Sequence, residues 1–292
     1  MLYRVCKFLL PCIGCQLALV LCRYEHVAAQ ASDDPLFLTY RINALILMVV
    51  FSAAVLLFTK WAKDGKPLYL RKIPGLDAVE EAVGRATEMG RPILFIPGLQ
   101  ELDDIETIAG ISILGRVARI TAEYETPLMV PVRWPLVLAG GQEVVEQAYI
   151  EAGKKEAYSN DMVRYVAGEQ FAFTATVNGW MMREKPAANI YMGAFFAESL
   201  LLAETGNAAG SIQIAGTARP EQLPFFIAAC DYTLMGEELY AASAYLSHEP
   251  VLLGGLKGQD LMKVAIVVAI ILGILLIALG YGDRYVNLFE KA

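Results

Sequence analysis

Two apolar runs frame a long stretch in which apolar and polar positions alternate with the periods of helices and strands. The first run is Ile42–Phe58, INALILMVVFSAAVLLF. The second is Val264–Leu279, VAIVVAIILGILLIAL, which Leu261 and Met262 extend past Lys263. Neither core carries a charge. A helix crosses the roughly 30 Å hydrocarbon layer with about 17 to 25 mostly apolar residues, because it rises about 1.5 Å per residue. Counted with their flanks, residues 42–59 and 261–280 are predicted as transmembrane helices. A core helix of that length would carry a polar stripe.

Between the runs the periods switch repeatedly. Asp77 and Glu80 form a capping box, and Leu76, Val79, Val83 and Ala86 repeat at helical spacing until Gly90. Ile93–Ile96 reads as a strand closed by Pro97-Gly98, and Asp103–Glu123 as a helix. Leu128–Val132 reads as the next strand, followed by helices over Gln142–Ala152 and Asp161–Ala167. Phe171–Val177, FAFTATV, alternates large apolar with small residues and predicts a strand, as does Asn189–Met192. A helix over Ala194–Glu204 stops at Gly206. Ser211–Ala215 is a strand, Pro220 starts a helix, and Glu237–Leu246 is the last helix. Short strands separated by helices predict an α/β domain over residues 68–258. Its expected form is a mostly parallel sheet covered by helices, Rossmann-like and flanked by transmembrane helices.

The charges beside the runs predict orientation. Lys60, Lys63, Lys66, Arg71 and Lys72 follow the first run, and Lys257 and Lys263 precede the core of the second. Short segments rich in Lys and Arg stay in the cytoplasm. The domain is therefore expected to be cytoplasmic in a multi-pass protein of the cell (inner) membrane, with residues 281–292 as a short extracytoplasmic tail. Residues 1–31 combine Arg4 and Lys7, an apolar stretch from Phe8 to Cys22, and small residues around Ala28, Ala29 and Ala31. That pattern fits a cleaved signal peptide or an uncleaved N-terminal membrane helix. Both place the domain on the same side.

Composition removes several function classes. A net charge of −7 and a pI near 5.0 argue against nucleic acid as a partner. Of five cysteines, Cys6, Cys12, Cys15 and Cys22 lie in the apolar start, and Cys230 is expected to be a reduced core residue. The C-x-x-C at Cys12 and Cys15 is followed by Gln16, where haem attachment requires His. No G-x-x-x-x-G-K-[ST] loop and no G-x-G-x-x-G dinucleotide fingerprint occurs. The two histidines, His26 and His248, supply neither a triad nor a metal set. No cofactor, metal or catalytic residue is therefore assigned, and a non-enzymatic role is favoured.

What remains is polar residues at predicted strand ends, where open α/β sheets bind ligands. Arg133 follows Leu128–Val132. Gly216, Thr217 and Arg219 follow Ser211–Ala215 and lead toward Pro220. A helix N-terminus with a guanidinium holds a phosphate or a carboxylate well. The competing reading is that Thr217 caps the helix and Arg219 forms an ion pair. Glu198 and Asp231 interrupt apolar runs, and an arginine is their expected partner.

The stretches GSIQIAGTARPEQLPFFIAACDYTLMGEELYAASAYLS, Gly210–Ser247, and EPVLLGGLKGQD, Glu249–Asp260, resemble a family of bacterial membrane proteins known only as a domain of unknown function. The resemblance covers roughly residues 71–279. It implies an apolar anchor, a cytoplasmic α/β region and a second anchor after the GQD, and it brings no catalytic assignment. Two functions stay open. One is a scaffold that self-associates as a homo-oligomer or docks other membrane-complex subunits at the lipid bilayer. The other is an anion-binding or nucleotide-like small-molecule site, binding or enzymatic, on Arg133, Gly216, Thr217, Arg219, Glu198 and Asp231.

Overall fold

The computed structural model describes residues 42–65, 74–247 and 250–279. The expectations for residues 1–31 and 281–292, for His26 and His248, and for the side chain of Asp77 lie outside the described part. The chain divides into two compact units, Met1–Leu68 with Glu249–Ala292, and Tyr69–His248.

Unit Tyr69–His248 is built on six strands. They are β1 (Ile93–Ile96), β2 (Leu128–Val132), β3 (Val163–Tyr165), β4 (Ala188–Met192), β5 (Ile212–Thr217) and β6 (Tyr232–Met235). Their order is β3-β2-β1-β4-β5-β6, and all pairs are parallel. The order reverses between β1 and β4, which is the doubly wound arrangement.

Along β1 the side chains alternate between two cores. Ile93 and Phe95 pack under α2 (Pro74–Met89), α3 (Ile105–Glu123), α4 (Pro135–Glu151) and α8 (Glu237–Ser247). Leu94 and Ile96 pack under α5 (Gln170–Glu184), α6 (Glu198–Ala208) and α7 (Leu223–Ala229). Burial on both faces explains why β1 is a continuous apolar run, ILFI.

The α/β class is as expected, while several elements differ. Phe171–Val177 lies inside helix α5. Phe173, Val177 and Met181 stand four residues apart and are fully buried. Glu169 caps the helix by accepting from Ala172 N at 2.6 Å. Thr174 and Thr176 donate to the carbonyls of Gln170 and Ala172 at 2.8 Å. Packing and capping override the strand propensity of the Phe and Thr residues. Asp161–Ala167 is not a helix: a short turn, Asn160–Met162, leads into β3. Met162 and Val163 are drawn to the edge of β2, and Pro131 pairs with Arg164 there.

Strand β6 was not anticipated, and α4 starts earlier than expected, with Pro135 in its first turn. Pro220 lies in a turn, and α7 begins at Leu223. Helix α6 runs through Gly206. A Cβ there would stand 2.2 Å from Gln213 Oε1 and 2.6 Å from Asn189 Nδ2. This glycine serves close packing on the sheet rather than helix termination.

The other unit contains α1 (Ile42–Lys63) and α9 (Pro250–Ala278). Both are long and apolar enough to cross a membrane, over Leu45–Lys63 and Pro250–Ala278. They pack against each other antiparallel. A Cβ on Gly254 would meet Thr59 Oγ1 at 2.3 Å, and one on Gly258 would meet Val55 Cγ2 at 2.4 Å. Small residues four apart let two helix backbones approach in this way.

Candidate functional site at the carboxyl edge of the sheet

In a doubly wound sheet the ligand crevice opens where the strand order reverses, here beyond the ends of β1 and β4. Two glycines stand there at positive φ, Gly98 at 80° and Gly193 at 140°. A Cβ on Gly98 would lie 2.8 Å from Ala194 N, and one on Gly193 would lie 2.8 Å from Pro97 O. Leu99 N donates to Ala194 O at 2.9 Å. The two loops therefore close on each other by backbone contact. Gly110 brings α3 equally near, since a Cβ on it would be 2.3 Å from Met192 O. The backbones of these loops and of α3 meet at the switch point.

Beside this loop contact lies a charged network. Asp104 caps α3, accepting from Glu106 N at 2.8 Å. Glu106 is only 5% exposed. Its Oε2 accepts from Thr217 Oγ1 at 3.1 Å and from Ala218 N at 2.8 Å. Arg219 Nη2 donates to Asp104 Oδ2 at 2.7 Å, and Arg219 Nε lies 2.9 Å from Glu106 Oε1 as an ion-pair contact. Arg219 N donates to Thr217 Oγ1 at 3.2 Å. The guanidinium also lies 5.8 Å from the ring centre of Phe196. Burial, and then the negative charges of Glu106 and Asp104, push the Tyr240 phenol above its ordinary range, against the opposing charge of Arg219.

The other expected residues serve other contacts. Arg133 donates from Nε to Gly168 O at 2.8 Å and from Nη1 to Leu99 O at 3.4 Å, and lies 5.1 Å from the Trp134 ring centre. Trp134 Nε1 donates to the same Leu99 carbonyl at 2.9 Å. Glu198 is fully buried. It accepts from Phe196 N at 2.7 Å and from Gln170 Nε2, tying the start of α6 to the start of α5. Asp231 precedes β6 at the opposite, amino edge of the sheet and accepts from Gln213 N at 2.8 Å. Among the described residues, neither carboxylate takes the arginine expected for it. Gly216 packs inward, since a Cβ on it would be 2.7 Å from Met192 Sδ.

The structure thus joins Thr217 and Arg219, leaves Arg133 and Glu198 on neighbouring loops of the same edge, and places Asp231 at the far end. The partners that sequence reasoning missed are Asp104 and Glu106. Their signal was the D-x-E that starts α3.

The edge is also acidic. Glu101, Asp103, Glu169, Glu221 and Glu237 are exposed there, and Arg219 already carries two carboxylates. Bonds from Ala172 N and Phe171 N, and then the charge of Arg133, hold the Glu169 carboxyl below its usual range. Such a field repels an anion.

Burial keeps two further groups of the domain in their neutral forms. Burial, and then the charge of Asp231, push the Cys230 thiol up to about 12. Burial also raises the Tyr191 phenol well above its ordinary value. Among the described residues no group of three or more His, Cys, Asp or Glu side chains is placed to hold a metal ion.

Residues 32–287 match the family model described as a domain of unknown function (DUF6754). The chain belongs to this family. The match takes in both apolar helices and the whole α/β unit, so membership concerns the entire arrangement rather than the sheet alone. No curated protein and no solved structure matches the chain.

Proposed function

We propose that this protein is a membrane-anchored scaffold. Its two apolar helices hold a cytoplasmic α/β domain at the bilayer of the cell membrane, and that domain self-associates or docks subunits of a membrane complex. The observation that carries this reading is the backbone contact between the two loops at the switch point. The loops carrying Gly98 and Gly193 touch beside the place where a doubly wound sheet takes its ligand. The neutralised Arg219 and the acidic edge argue the same way against an anion. The Lys and Arg residues after α1 and before the core of α9 support the cytoplasmic side.

Gly110 and Gly115 serve the domain's own packing. Gly110 backs onto β4, and Gly115 faces Val144 Cγ1 at 3.0 Å from a built Cβ.

The experiment is a thermal-shift series on the full chain in detergent with phosphate, small carboxylates and nucleotides. A ligand at a hundred times its dissociation constant stabilises by about 2.7 kcal/mol, so a real site moves the Tm visibly. No shift is expected, and light scattering should give a mass several times 31.9 kDa. A saturable shift with any of these anions would restore the ligand-binding reading. A monomer across concentrations would remove self-association.

A further inference from the structure

The antiparallel contact sets α1 and α9 side by side, with Thr59 at Gly254 and Val55 at Gly258. Further along the pair a groove of about 420 Å³ opens between them. Its apolar walls include Leu47 and Phe51 of α1 and Met262 and Ile266 of α9, and its polar groups are Gln259 and Lys263. A volume of this size lies in the roughly 300–1,000 Å³ range of sites for one small molecule. Along α9 the polar groups come first, at 259 and 263, and Ile266 lies in the uncharged run Val264–Leu279. The groove is thus cationic and hydrogen-bonding on the side from which α9 arrives, and apolar where α9 enters that run.

On the anchorage proposed above, lipid is the solvent that meets this groove. A phospholipid carries the same division of polarity, with a phosphate at one end and hydrocarbon at the other. Lys263 is the groove's cation, whereas Lys257 is balanced by Asp260 at 3.1 Å. An ammonium and an amide NH₂ both donate hydrogen bonds, and the unesterified oxygens of a phosphodiester accept them. Lys263 directly precedes the uncharged run, and a lysine stem lies along an apolar wall while its charge reaches the headgroups. A second copy of this chain, inserted the same way around, would instead bring one Lys263 to the level of another, and like charges repel. A zwitterionic headgroup carries its own cation, which competes with Lys263. An anionic one does not.

We propose that this groove is a binding site for one anionic phospholipid, its phosphate held by Lys263 and Gln259 and one acyl chain lying along Phe51, Met262 and Ile266 toward Leu47. The inference rests on the membrane anchorage proposed above. Basic pockets between membrane helices on the cytoplasmic side hold anionic headgroups in this way. The bound lipid joins α1 to α9 beyond the contacts at Gly254 and Gly258, and so ties together the two anchors of the α/β domain.

The test uses the full chain in detergent, titrated with phosphatidylglycerol or phosphatidylcholine of the same acyl chains and read by native mass spectrometry. One phosphatidylglycerol per chain is expected, bound about five-fold or more tighter than phosphatidylcholine, the contribution of one lysine at an anionic surface. Lys263→Gln should abolish that preference, and Lys263→Arg should retain it. Lys60→Gln removes the same charge from an exposed position of α1 outside the groove and should leave the preference unchanged. Equal binding of the two lipids, a preference that survives Lys263→Gln, or one lost equally in Lys60→Gln would overturn the site with the anchorage intact. Displacement of the lipid by equimolar inorganic phosphate would show that the apolar walls contribute nothing, and would overturn it too. Release of the chain from membranes by carbonate would instead overturn the anchorage, and the lipid site with it.

Discussion

Glu106 is a carboxylate in the first turn of α3 that holds the loop after β5 through Thr217 and Ala218 and balances Arg219. Glu106→Ala should cost about 2 kcal/mol in chemical unfolding. That lies below the 3–5 kcal/mol of a fully buried pair, because Arg219 is 37% exposed and water screens what remains of its charge. A loss under about 0.5 kcal/mol would show that the network is not structural.

Cys230 makes a second prediction at this scale. Its thiol is raised from 9.0 to about 12 by burial. A raised folded-state value means that the neutral thiol stabilises the fold below pH 9, and that this contribution is lost as pH climbs from 9 toward 12. Native Cys230 should alkylate at pH 8 at least a hundredfold more slowly than in the unfolded chain, because thiolate is the nucleophile. Equal rates would contradict the buried placement.

Among the helices, glycine means different things at different sites, and substitution separates them. Gly110→Ala drives a Cβ to 2.3 Å from the Met192 carbonyl, a backbone atom that cannot swing away. It should destabilise by about 3 kcal/mol or more. Gly84, inside α2, has nothing within 4 Å of a built Cβ, so Gly84→Ala should stabilise by about 0.5–1 kcal/mol through helix propensity alone. Thermal unfolding of the two variants should move in opposite directions. A gain in both would mean that α3 and β4 are not in backbone contact.

For the whole molecule, the decisive quantity is which side of the membrane the α/β unit occupies. Ala157 is exposed in the loop before β3. An Ala157→Cys variant should resist impermeant maleimides in intact cells and react once the cells are opened. Labelling in intact cells would reverse the orientation that the lysines of α1 and α9 imply.

The sequence by itself determined the two apolar helices, the α/β class, and strands such as Ile93–Ile96 and Leu128–Val132 to the residue. These follow from local periodicity and continuous apolar burial, which nearby residues encode. Tertiary structure alone decided the helical state of Phe171–Val177, where packing of Phe173, Val177 and Met181 outweighs strand propensity. It alone paired Glu106 with Thr217, 111 residues apart, because nothing local to either residue encodes a contact between the ends of β1 and β5. It also brought the loops at Gly98 and Gly193 into backbone contact, and it set α9 against α1 with Gly254 at Thr59 and Gly258 at Val55. Each of these rests on distance between segments remote in the chain, which only the folded packing supplies.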